Sequence, residues 1–137
     1  MNRRRPGYFR NVDEQTTAPT HDQDSPAPGE PQVTSELRQD TAVVTVVGEL
    51  TESARRPIVR TMTDLLLGVP HLHRVELHLR QVPFMNSAGM AVLVQLQKLG
   101  QPRGVEIVLV APPETVSRPL QLAGLWHRFP VVEGGSS

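Results

Sequence analysis

The pattern of apolar and polar positions changes at about residue 32. From Val33 onward, apolar runs typical of strands alternate with segments whose apolar residues recur every three or four positions. Residues 33–39 alternate weakly, and residues 42–50 are β-branched and almost wholly apolar. With a tight turn at Asp40-Thr41 between them, these two runs predict a β-hairpin.

The segment after the hairpin has the spacing of a helix. Ile58, Met62, Leu65 and Leu66 form one apolar stripe. Proline is tolerated in the first turn of a helix, so residues 56–57 are the predicted start of the regular helix, with Thr51 or Ser53 as an earlier cap. Gly68 and Pro70 are typical of a helix end.

The rest of the chain repeats this alternation. We predict a half-buried strand at 74–82, a helix ending near residue 99, a buried strand at 105–111, a short or kinked helix at 113–124 and a last strand at 127–133. The order is β-β-α-β-α-β-α-β. Strands joined through single helices pair in parallel, so the predicted fold is an α/β single domain with a mixed five-stranded sheet, an antiparallel edge hairpin and helices packed on the sheet.

Residues 1–32 have a different composition. They are rich in Pro, Asp, Gln and Thr, and their few apolar residues show no period. Such a segment buries too little apolar surface to offset the entropy of ordering it. The predicted organisation is therefore a disordered tail at 1–32, followed by one domain at 33–137.

Charge and composition narrow the functional classes. The 137 residues include 14 Lys+Arg and 14 Asp+Glu, so the net charge is zero and there is no electrostatic footprint for nucleic acid or an anionic membrane. The chain has no cysteine, which excludes disulfides, thiol catalysis and thiolate metal sites. No apolar run approaches the roughly 20 residues of a membrane span, and no signal peptide is recognisable, so we expect a cytoplasmic protein.

Neither a metal site nor a cofactor site is predicted. His71 and His73 form an H-x-H in a loop without a third ligand nearby, and His78 lies on the polar side of its strand. These patterns are typical of solvated or paired imidazoles. The sequence also lacks a glycine-rich loop that would cradle phosphates, so the protein itself is not expected to hydrolyse nucleotide.

The most informative stretch is VPFMNSAGMAVLV, residues 82–94, where a strand leads into a helix. At 100° per residue, Ser87 lies at the exposed edge of the first helical turn, and Met90 and Val94 follow it along the same side. Two apolar residues in line with an exposed serine form a small docking surface, or they are ordinary scattered surface residues. The pattern alone leaves both interpretations open.

A serine at a helix start has three candidate roles. It caps the helix, acts as a nucleophile, or accepts a phosphate whose charge the helix end tolerates. The sequence has no G-x-S-x-G elbow, and no His or Asp is marked as a partner of Ser87, so catalysis is disfavoured. Capping and phosphate acceptance both stay open.

Residues from about 33 to 133 resemble the STAS domain, the fold of bacterial anti-sigma factor antagonists. VVTVVGEL resembles the second strand of that family with its G-E-L ending. VELHLRQVPFMNSAGMAVLV resembles the third strand followed by the D-S-S-G-L site, and GVEIVLVAPPETVSRPLQLAGL resembles the fourth strand and third helix. The landmarks occur in the family's order over roughly 100 residues.

The resemblance implies a partner and a phosphoacceptor. In that family the serine after the acidic residue is phosphorylated by a kinase that is also the anti-sigma factor, and the unphosphorylated antagonist binds this kinase. The matching serine is Ser87. The implied partner-binding residues surround the helix start: Asn86, Ser87, Ala88, Met90, Ala91 and Val94.

The sequence departs from the family at three positions. Asn86 stands where the family usually has Asp, Ala88 where it often has a second Ser, and Thr51 where Asp is common after G-E-L. The implied protein is a non-enzymatic anti-sigma factor antagonist switched by serine phosphorylation. The alternative is a STAS adaptor without phosphorylation, in a signalling scaffold or a transporter-associated complex. A small enzyme that uses Ser87 is the third hypothesis, and the oligomeric state is left open.

Overall fold

The computed structural model describes residues 26–133, which form a five-stranded sheet and three α-helices. The strands are β1 (Gln32–Arg38), β2 (Thr41–Val47), β3 (Arg74–Gln81), β4 (Glu106–Val110) and β5 (Val131–Val132), and the helices are α1 (Arg55–Gly68), α2 (Ser87–Gly100) and α3 (Glu114–Leu122). Short 3₁₀ turns lie at Glu52–Ala54, Gln101–Arg103 and Trp126–Arg128. Most of the predicted N-terminal tail, residues 1–25, lies outside the described residues.

The strands lie in the sheet in the order of the sequence. The hairpin pair β1 and β2 is antiparallel, and every later neighbour pairs in parallel, as expected when each pair is joined through a helix. This confirms the predicted α/β single domain with a mixed five-stranded sheet.

The hairpin turn lies one residue earlier than predicted. Thr41 already belongs to β2 and pairs with Arg38, so the turn is formed by Gln39 and Asp40. Gln39 has a φ of 60°, in the left-handed region. The predicted turn at Asp40-Thr41 was wrong by one residue. Asp is a usual turn residue, which favoured Asp40 as the first turn position, but the register of the two strands makes it the second.

The last strand is shorter than predicted. The expected strand at 127–133 is reduced to β5, since residues 126–128 form a 3₁₀ turn. Pro130 precedes β5 and has no N–H, but its carbonyl oxygen accepts a hydrogen bond from Leu109 N at 2.9 Å. Pro119 led us to expect a short or kinked helix, and α3 is short, with nine residues.

One hydrophobic cluster joins the sheet to all three helices. Ile58 of α1, Leu93 of α2 and Leu120 of α3 are each at most 2 % exposed and belong to the same cluster as Leu77 and Leu109 of the sheet. The helices therefore cover one face of the sheet. No helix of residues 26–133 is long and apolar enough to cross a membrane.

Candidate functional site

The segment between β3 and α2 is held in place by the backbone of one residue, Leu50. Leu50 N donates to Phe84 O at 2.9 Å, and Asn86 N donates to Leu50 O at 3.1 Å. Leu50 also forms an isolated parallel bridge with Met85, and both side chains are buried. The G-E-L end of the second strand thus sets the position at which α2 begins.

Asn86, not Ser87, caps α2. Asn86 has extended backbone angles, its Oδ1 accepts from Gly89 N at 3.0 Å, and its carbonyl oxygen accepts from Met90 N at 3.0 Å. This is the usual geometry of an asparagine N-cap. Because Asn86 supplies the cap, the hydroxyl of Ser87 is not needed to begin the helix.

Gly89 allows α2 to approach the backbone of Leu50. A β-carbon at residue 89 would lie 2.0 Å from Leu50 O and 2.4 Å from Leu50 C, which no packed atom tolerates. The glycine of the SAG sequence is therefore a packing requirement of the site.

Ser87 is exposed at the first position of α2. No side chain or backbone group among residues 26–133 forms a hydrogen bond with its hydroxyl. The helix N-terminus beside it carries unpaired N–H groups and a partial positive charge. The hydroxyl is thus accessible to solvent in a position that favours a negative charge.

A shallow surface groove runs along α2 from Ser87. Its lining combines apolar and cationic side chains, namely Arg55, Ser87, Met90, Ala91, Val94, Gln95, Lys98 and Leu125. Met90 and Val94 are half-buried and pack against the core cluster, whereas Ala91 is exposed. Ser87 therefore adjoins a partly apolar surface, which we call the α2 groove.

Arg55 and Lys98 are the ionisable residues of the α2 groove. Arg55 Nη1 donates to Gln95 Oε1 at 3.0 Å, so a neutral amide of α2 holds this guanidinium in place. Within residues 26–133, no carboxylate lies within ion-pair distance of Arg55 or Lys98. The groove is therefore positively charged.

The structure brings together most, but not all, of the predicted partner-binding residues. Ser87, Met90, Ala91 and Val94 line the α2 groove, as the helical spacing indicated. Asn86 and Ala88 are half-buried at the helix start and do not line it.

Sequence reasoning missed four lining residues: Arg55, Gln95, Lys98 and Leu125. Arg55 and Leu125 come from distant parts of the chain, so no local pattern marks them. Gln95 and Lys98 follow Ala91 and Val94 by four residues, so helical spacing does indicate the same side of α2 for them. The two carboxylates nearest Leu50 in the chain, Glu49 and Glu52, are exposed and lie outside the lining.

The histidines are placed on polar parts of the surface. His71 Nε2 lies 3.3 Å from Gln39 O, and His78 Nε2 lies 3.3 Å from Glu76 Oε1 on the outer face of β3. No group of three or more His, Cys, Asp or Glu side chains suited to a metal ion occurs in the described part of the chain.

The fold and the site define a STAS domain. The family model described as STAS domain matches residues 32–133, and the chain belongs to this family. Comparison with curated protein sequences found no match.

Solved structures with the same fold include anti-sigma factor antagonists. The chain is 22% identical to the Thermotoga maritima protein TM1081, covering 74% of this chain and 86% of that one with a TM-score of 0.65. It is 24% identical to an anti-sigma factor antagonist from Mycobacterium paratuberculosis, over 77% and 88% of the two chains with a TM-score of 0.62. The Bacillus cell fate determinant SpoIIAA in its phosphorylated form is 21% identical over 74% and 91%, with a TM-score of 0.56. At these identities the likeness shows a shared fold.

Proposed function

We propose that this protein is an anti-sigma factor antagonist that docks through the α2 groove and is switched off by phosphorylation of Ser87. The observation that carries the proposal is the exposed hydroxyl of Ser87, which adjoins the half-buried Met90 and Val94 and is not used as the helix cap. Membership of the STAS family and the shared fold with anti-sigma factor antagonists support this assignment. The proposed partner is an anti-sigma factor that is also a serine kinase, in the cytoplasm where ATP is available.

The proposed reaction takes place on this chain but is catalysed by the partner. The Ser87 oxygen attacks the γ-phosphorus of ATP bound to the kinase, the bond from that phosphorus to the β–γ bridging oxygen breaks, and ADP leaves. The hydroxyl proton passes to a base of the kinase or to water. Fold relatives of this chain include SpoIIAA solved in both phosphorylated and unphosphorylated forms, which supports a phosphorylation site on this fold.

The phosphate acts on binding and leaves folding almost unchanged. It adds about −1.5 to −2 charges beside Met90 and Val94, and the N-terminus of α2 favours an anion at this position. A partner surface that accommodates a neutral hydroxyl must instead desolvate this charge. If that costs about 3 to 4 kcal/mol, the affinity falls by roughly a hundredfold to several hundredfold.

Ser87 does not have the surroundings of a catalytic nucleophile. Among the described residues, no histidine or carboxylate forms a hydrogen bond with its hydroxyl, so no base is in position to activate it. We therefore propose that the chain is not an enzyme. A broad esterase screen of the protein and of Ser87→Ala tests this, and turnover that requires Ser87 would contradict it.

The phosphorylation experiment uses the cognate kinase with ATP and maps phosphate by mass spectrometry. We expect phosphate on Ser87, and phosphate only at other residues, or none with an active kinase, would refute the switch. In binding assays, Ser87→Ala should retain kinase affinity and Ser87→Asp should weaken it at least tenfold. Ser35→Asp is the matched control, because Ser35 is an exposed serine on the edge strand β1.

The alternative, an adaptor that is never phosphorylated, predicts a different result. Ser87→Asp would then bind the kinase as well as the wild-type protein, or no kinase would be recovered with the protein. Recovery of transporter or scaffold subunits in place of a kinase would favour the adaptor.

A further inference from the structure

We propose that the α2 groove recognises a carboxylate-bearing surface of its partner through Arg55 and Lys98, and that phosphate on Ser87 acts by cancelling this positive charge. The inference rests on the proposed function for the location of the docking site. It adds the chemistry of the partner surface and the reason why an added anion prevents docking.

Arg55 is held differently from the arginines of this chain that form ion pairs. Arg38, Arg74 and Arg118 each pair with a glutamate carboxylate, at 3.2, 3.2 and 3.5 Å respectively. Arg55 is instead held by the neutral side chain of Gln95. This hydrogen bond directs the guanidinium towards α2 without compensating its charge, which leaves it able to meet a carboxylate on another molecule.

Lys98 places a second uncompensated charge along the same helix face. Eleven residues separate Ser87 from Lys98, which is a rise of about 16 Å along α2 and very nearly three complete turns. Met90 and Val94 lie between them on the same side. The groove therefore has an apolar centre with Ser87 at one end and Lys98 at the other, and Arg55 lies against α2 at Gln95.

The charge of the groove contrasts with that of the whole chain. The protein has zero net charge, yet the groove carries two positive charges and no carboxylate. A phosphate of about −1.5 to −2 at Ser87 brings the summed charge of the lining close to zero. The net attraction for an acidic partner is then weakened, in addition to the cost of desolvating the phosphate itself.

A protein partner fits the groove better than a nucleic acid or a membrane. Met90, Ala91, Val94 and Leu125 give the lining an apolar component that a phosphate backbone would leave uncovered. Nucleic-acid binding depends on many Lys and Arg contacts, each of which neutralises a phosphate and increases the salt dependence of the affinity. The two cations of the α2 groove are too few for this kind of binding. The occupant we infer is an acidic and partly apolar surface of the kinase.

The test measures kinase affinity by calorimetry at two salt concentrations. Arg55→Gln and Lys98→Gln should each weaken binding by about five- to thirtyfold at low salt, and each should reduce the dependence of affinity on salt. Arg56→Gln and Arg60→Gln are the matched controls, since both are exposed arginines of α1 outside the α2 groove. They should change affinity by less than twofold.

Several outcomes would overturn the inference. Affinities of Arg55→Gln and Lys98→Gln within twofold of wild type, or tighter binding by either variant, would show that the partner surface is not acidic. Tighter binding of single-stranded DNA or phosphatidylserine vesicles than of the kinase would identify another class of partner.

Different results would refute the inference and the proposed function. If Ser87→Asp weakens kinase binding but Arg55→Gln and Lys98→Gln do not, the switch stands and the charge inference is wrong. If Ser87→Asp has no effect, the proposed function is wrong. A protein carrying genetically encoded phosphoserine at residue 87 repeats the comparison with the true phosphate, and we expect its affinity to be lower than that of Ser87→Asp because the phosphate carries more charge.

Discussion

Gly89 leaves no room for a side chain beside the carbonyl group of Leu50. A β-carbon at residue 89 would lie 2.0 Å from Leu50 O, and the same oxygen accepts a hydrogen bond from Asn86 N at 3.1 Å. One carbonyl group therefore fixes both the path of the chain into α2 and the closeness of the first helical turn. The exposed position of Ser87 depends on this contact.

Replacing Gly89 with alanine should destabilise the protein by about 3 kcal/mol or more, because the neighbouring atoms are backbone and cannot rotate away. Urea denaturation measures the loss. Gly68→Ala is the matched control: Gly68 also lies in a helix, but a β-carbon there would have no neighbouring atom within 4 Å, so we expect no loss and a gain of up to about 1 kcal/mol. Equal stabilities of the two variants would show that Gly89 does not pack closely against the Leu50 backbone.

Loss of the helix cap at Asn86 should lower the free energy of unfolding, whereas loss of the Ser87 hydroxyl should not. Asn86→Ala removes the acceptor for Gly89 N and should lower the free energy of unfolding by about 1 kcal/mol. Ser87→Ala removes an exposed hydroxyl with no bonding partner among the described residues, so the change should stay within about 0.5 kcal/mol. Thermal denaturation of both variants checks this, and a larger loss from Ser87→Ala would mean that the serine is the cap.

A negative charge at residue 87 should not unfold the domain. The first turn of α2 contains no acidic residue, so Ser87→Asp adds a charge that the helix N-terminus favours by roughly 0.3 to 1 kcal/mol. We expect the melting temperature to be unchanged or higher at low salt. A fall of several degrees would show that the switch acts through unfolding and not through the docking surface.

Two leucines of α3 should differ sharply in their contributions to the stability of the domain. Leu120 is fully buried in the core cluster, and Leu122 is 79% exposed. Leu120→Ala should cost about 2 to 5 kcal/mol of stability, and Leu122→Ala should stay within about 0.5 kcal/mol. Chemical denaturation of the pair therefore tests whether α3 packs on the sheet as described.

The features that follow from local periodicity were predictable from sequence. The spacing of Met90 and Val94 after Ser87 placed all three on one side of α2, and the groove contains them. The parallel strand order followed from the alternation of strands and single helices. These inferences need only the rotation of one helix or the connectivity of neighbouring elements.

The features that depend on tertiary contacts were not predictable. Arg55 reaches Gln95 across 40 positions of sequence, and Leu125 enters the groove from beyond α3. The extent of β5 was also overestimated, since residues 126–128 are as compatible with a 3₁₀ turn as with a strand and only packing decides between them. A positively charged groove thus became apparent only in three dimensions.

Asn86 caps α2 and Ser87 is exposed beside it, and this arrangement has an evolutionary consequence. Under the proposed function, the residue that starts the helix is not the residue that meets the partner, so substitutions at residue 87 alter docking at little cost to the stability of the domain. A descendant of this protein would then gain or lose regulation through a single codon while inheriting the same architecture.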